Sequence, residues 1–168
     1  MTLEITEAII EQFSRNYKDP REFVAYQDPQ DKLNQLEALL IEQPQPVCPL
    51  KHTFTPNMYI REIFMPAGSL LTTALHLTTH PFFILKGDVS VWYYDSPIER
   101  YKAPYSGVTK AGTRRLIYNH EDTIWVTCHA TTLTDVDEVL KTIICTDMNP
   151  YLDGNDPRMG FRDKNKIE

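Results

Sequence analysis

Hydrophobic positions along the chain change their period twice, and each change marks a new kind of element. In Met1–Pro46 the spacing is helical. Ile9, Phe13 and Tyr17 recur at i, i+4 and i+8, with Ile10 widening the stripe, which predicts a short amphipathic helix to about Asn16. Asp19-Pro20 interrupts it. A second helix is predicted from Asp28-Pro29, with the aspartate as cap and the proline in the first turn. Leu33, Leu36, Leu39 and Leu40 form its apolar face, and Pro44, Pro46 and Pro49 end it.

From Lys51 to Ala130 the period moves towards two. Met58–Phe64 and Ser69–Leu77 are predicted strands, separated by the turn Pro66-Ala67-Gly68. Phe82–Leu85 leads through Lys86-Gly87-Asp88 into a segment where Val89, Val91 and Tyr93 alternate with Ser90, Trp92 and Tyr94. Asp95–Tyr105, with Pro97 and Pro104, reads as a loop. Arg115–Tyr118 and Thr123–Ala130 are two further strands around a polar turn at 119–122. In the third zone Thr134-x-x-Asp137 resembles a capping box. Val136, Val139, Leu140, Ile143 and Ile144 follow it as the apolar face of a helix. The tail after Pro150 is poor in apolar residues and reads as extended surface chain. Short strands punctuated by glycine and proline predict an all-β core with flanking helices, not a parallel α/β sheet.

Length and composition narrow this little further. A chain of 168 residues suits one domain. It would comprise N-terminal helices over 1–46, a barrel over 51–130, and a helix with its tail over 134–150. A net charge of −6 disfavours non-specific attraction to nucleic acid or anionic membrane. Arg114-Arg115 is the one basic pair to watch. Cys48, Cys128 and Cys145 are scattered and contain no CxxC, so neither a zinc knuckle nor a disulfide framework is expected. Glu4 and Glu7 stand where a signal peptide needs basic residues, and no run approaches the roughly 18 apolar residues of a membrane span. A cytoplasmic protein is expected.

The residues that can carry chemistry are mostly histidines. His76 and His80 flank Leu77-Thr78-Thr79 at the end of one strand, and neutral imidazoles so placed can share zinc, iron or manganese. The same two residues sit in a longer pattern. His80 precedes Gly87 by the interval that separates glutamate from glycine in the first motif of the cupin superfamily. His76 then falls on the second histidine of that motif's His-x-His, and Ala74 on the first. In the second motif Gly112 and Asn119 match, while Pro104, Lys110 and Arg115 replace glycine, proline and histidine. The chain thus resembles a degenerate cupin, which implies a double-stranded β-helix (jelly-roll) barrel.

The resemblance also shows what is lost. Ala74 and Arg115 remove two of the family's metal ligands, since a guanidinium only donates. Two readings stay open. In one, His129, inward with Trp125 and Thr127 by alternation, joins His76 and His80 around a divalent metal in an enzyme of undefined reaction. In the other, no metal binds and Arg115 receives the carboxylate or phosphate of a small ligand, with Trp92 and Tyr93 in the pocket wall. Metal-free relatives resembling sugar epimerases pair a histidine base with a tyrosine acid. Here that implies His76 or His80 with Tyr59, Tyr93 or Tyr118, none of which is singled out. A non-enzymatic accessory role, as in phage proteins of similar degenerate kind, is the third class. Family members of this size commonly pair through their sheets, so a homodimer is expected.

Overall fold

The computed structural model describes residues 29–93 and 96–145. The helix predicted up to Asn16, the Asp28 cap and the tail beyond Pro150 lie outside the described residues. Helix α1 spans Pro29–Ile41 and is followed by eleven strands and a second helix. The strands are β1 (Leu50–Thr55), β2 (Met58–Met65), β3 (Leu70–Thr72), β4 (Leu75–His76), β5 (His80–Lys86), β6 (Asp88–Trp92), β7 (Glu99–Lys102), β8 (Tyr105–Thr109), β9 (Leu116–Asn119) and β10 (Thr123–Ala130). Helix α2 (Val136–Ile143) and β11 (Ile144–Cys145) complete the order.

All pairings are antiparallel. One sheet runs β1-β2-β10-β5-β8, a second β3-β9-β6-β7, and β4 pairs with β11 alone. The two large sheets share one core. Met65, Phe82, Ile84 and Trp125 from the first meet Val89, Val91 and Ile117 from the second. The result is a jelly-roll-like sandwich. Among the described residues no sheet closes on itself into the expected barrel: the two large sheets share no strand ladder and each keeps its own edge strands.

Alternation accounts for what faces inward. In β10, Thr123, Trp125 and His129 are buried, and they pair across β2 with Met65, Ile63 and Tyr59. Gly87 makes the corner where the chain leaves the first sheet for the second. Its φ is 105°, and a Cβ there would lie 2.8 Å from the Thr123 Cα and 2.9 Å from the Asp122 carbonyl oxygen, so only glycine fits.

Three other expectations are corrected. The strand expected over Ser69–Leu77 is two short strands in different sheets, because the ladder breaks at 73–74, where the Thr73 N–H donates to the Arg115 carbonyl and its Oγ1 accepts from the Arg115 N–H. The loop expected over Asp95–Tyr105 holds β7 and the start of β8. Charged residues on the exposed side of edge strand β7 disguise its alternation. The cap of α2 is Asp135, whose Oδ1 accepts from the Glu138 N–H at 3.0 Å, one residue beyond the expected threonine. Ile144 has already left that helix to pair with His76.

Candidate functional site

A cavity of about 290 Å3 lies within the sandwich beneath the end of α1. Leu40, Ile41 and Gln45 form part of its roof, and Ile63, Leu71, Ile117 and Trp125 part of its wall. Besides the Cys48 thiol, four ionisable side chains among the described residues interrupt this apolar lining: Glu37, Arg61, His76 and Arg115.

The two neighbouring arginines part company here. Arg114 is fully buried at the seam between α1 and the sheets. It donates to Asn34 Oδ1, to Glu37 Oε2 at 2.5 Å and to the Thr73 carbonyl at 3.2 Å. Thr72 Oγ1 donates to the other Glu37 oxygen at 3.0 Å. Arg115 turns into the interior, 6% exposed, where Nη2 donates to Thr109 Oγ1 at 2.9 Å. Its cation lies 5.3 Å from the Phe82 ring centroid and 6.0 Å from that of Trp125. Burial lowers its pKa, opposed by the nearby Tyr101, Tyr93 and Glu99, and guanidinium remains charged at any working pH.

Beside the cavity, which His76 also lines, the three expected histidines come together. His76 is on β4, His80 opens β5 and His129 closes the inward row of β10. The ring centroids of His76 and His80 are 4.7 Å apart, and those of His80 and His129 4.2 Å. His80 Nδ1 bonds the Thr78 carbonyl at 3.0 Å, and His129 Nε2 lies 3.1 Å from Thr127 Oγ1. Burial, joined by the positive neighbours, pushes His76 down to about 3, and burial does the same to His129. Burial lowers His80 too, against the opposing Thr78 bond. All three are therefore neutral near pH 7. His76 Nδ1, His80 Nε2 and His129 Nδ1 are buried without a hydrogen-bond partner among the described residues. That donor chemistry suits a divalent metal. As the rings stand, no group of three or more His, Cys, Asp or Glu among the described residues is arranged to hold one.

Other residues expected at a site lie elsewhere. Trp92 and Tyr93 do not line the cavity. Tyr93 donates to Glu99 at 3.3 Å and packs on the core. Tyr59 is wholly buried and bonded at 2.6 Å to Nδ1 of the exposed His52, and Tyr118 packs edge-on against His120. Asp122 accepts from the Ala67 N–H, as a turn residue should. Sequence reasoning missed Arg61 and the Asn34–Glu37–Arg114 network. Arg61 carried a signal: it shares the inward alternation of Tyr59, Ile63 and Met65.

No helix among the described residues is long and apolar enough to cross a membrane. No protein-family model matches the chain, and no curated protein matches it. Solved structures resemble it distantly. An RmlC-like cupin family protein with a double-stranded β-helix fold from Methanocaldococcus jannaschii is 16% identical over 54% of this chain and 86% of its own, with a TM-score of 0.44. The Schizosaccharomyces pombe Cnp3 cupin domain is 21% identical over 61% of this chain and 71% of its own, at 0.43. An uncharacterised protein with a double-stranded β-helix domain from Klebsiella pneumoniae is 14% identical over 53% and 81%, at 0.45. These are likenesses of outline, and the reading of the site rests on its own geometry.

Proposed function

We propose that the protein binds a small molecule in the cavity beneath α1. The observation that carries this is a space of about 290 Å3, apolar in most of its lining and interrupted by a few convergent polar groups. Well-packed interiors leave few voids larger than a water, and ligand sites combine apolar walls with a small number of placed polar groups. Ligand-observed NMR with a set of small organic molecules tests it. Saturable binding is expected, and Ala74→Phe, which fills the cavity from its wall, should abolish it while melting stays cooperative. Binding to no member of the set, or equal binding to the variant, would overturn the reading.

The three orphaned imidazole nitrogens favour a second reading, in which His76, His80 and His129 turn to hold zinc, iron or manganese. Such an ion would supply a Lewis acid or an activated water beside the cavity. Metal analysis after expression in supplemented medium decides it: near-stoichiometric metal, lost in His76→Ala plus His80→Ala, supports the site, and metal-free protein sinks it.

A further inference from the structure

Resting on the cavity reading above, we infer that the ligand is a compact monocarboxylate with an apolar body, its carboxylate received by Arg115. Among the described residues the Arg115 guanidinium makes one hydrogen bond, to Thr109 Oγ1, and no ion pair, although it is 94% buried (6% exposed). The ring faces of Phe82 and Trp125 steady the cation but do not neutralise it. Glu99 is the carboxylate whose field reaches it, yet Glu99 is engaged by the phenols of Tyr93 and Tyr101. A buried charge with most of its donors unused is costly to fold around. The group that fits a guanidinium fork best is a planar carboxylate, through two parallel N–H···O bonds.

The charge balance of the lining points the same way. The lining carboxylate Glu37 is already bonded at 2.5 Å to Arg114, and His76 is neutral, so neither answers the charge of Arg115. Arg115 therefore sets a positive charge against the cavity within a chain of net charge −6. Such a local field selects an anion, and steers it inward against the repulsion of the acidic surface. The remaining wall, with Leu50, Ile63, Leu71 and Ile117, asks for hydrocarbon. A volume of about 290 Å3 stands at the small end of ligand pockets, which suits a small acid. The fork also matches phosphate, but a dianion would bring a second negative charge that Arg115 does not neutralise against an apolar wall.

Isothermal titration calorimetry on the full chain tests this with matched pairs: cyclohexanecarboxylate against its carboxamide, and hexanoate against hexanamide. The acid is expected to bind about ten- to a hundredfold tighter than the amide. Arg115→Met should erase that preference, with acid affinity falling far more than amide affinity, and Arg115→Lys, which keeps the charge without the fork, should retain part of it. Equal affinity for acid and amide in the unaltered protein overturns the carboxylate assignment and leaves the cavity reading intact. Binding of neither overturns both. A preference that survives in Arg115→Met, or is undiminished in Arg115→Lys if the methionine variant does not fold, removes Arg115 from the role. Inorganic phosphate should not displace the acid, and displacement would assign the anchor to phosphate instead.

Discussion

Arg114 and Arg115 are adjacent in sequence, both buried, and opposite in consequence. The extended chain entering β9 sends one side chain outward to the seam with α1 and the next inward to the cavity. At the seam, Asn34, Glu37 and Thr73 all accept from Arg114, and Thr72 completes Glu37. In the interior, Arg115 has a threonine and two aromatic faces. The lesson is that burial alone does not separate a structural arginine from a receptive one. The count of satisfied donors does.

Breaking the seam should have the largest effect. Arg114→Met strands the buried Glu37 carboxylate, and urea denaturation should show a loss of about 3–5 kcal/mol, the usual cost of removing one partner of a buried pair. Acid attacks the histidine end next. In metal-free protein His76 sits at about 3 against 6.5 when exposed, so below about pH 6.5 the unfolded chain holds more protons. The stability is whole above that pH and falls as pH drops towards 3, by at most about 1.4 kcal/mol per pH unit for His76. His129, also lowered to about 3, adds a smaller share after solvent screening. Denaturation curves at pH 7, 5.5 and 4 should show this slope, shallower in His76→Gln, and a flat profile would mean the rings are already solvated. Thr72→Val, which removes one bond to Glu37, should cost about 1–2 kcal/mol. Smallest is Arg115→Met. It removes one hydrogen bond but also relieves the burial of an unpaired cation, so the two offset and stability should change by under about 1 kcal/mol without ligand. A loss as large as that of Arg114→Met would erase the contrast between the two arginines.

Much of this was legible because strand alternation is a local signal. Thr123–Ala130 forms β10 with the same bounds, and alternation correctly turned His129 inward. Gly87 marked a true corner. The failures have physical causes as particular. In β7 the exposed positions are Arg100 and Lys102, which read as loop because an edge strand has no second neighbour to cover them. Trp92 and Tyr93 suggested a pocket wall, but the cavity lies on the side of the sandwich roofed by α1, a placement that periodicity does not encode. The partners of Arg114 are 80 and 77 residues away in sequence, beyond any spacing rule. The three histidines were found by number, while the packing of their rings upon one another was not.

The helix that roofs the cavity is also the one pinned by Arg114. Asn34 and Glu37 hold its middle, whereas Leu40 and Ile41 cover the void and Gln45 reaches back to the Leu40 carbonyl. For a molecule held in the cavity, as proposed, the way out past the end of α1 would be set by contacts such as that of Gln45 with the Leu40 carbonyl. A substitution at Gln45 would then be expected to change dwell time more than recognition by Arg115.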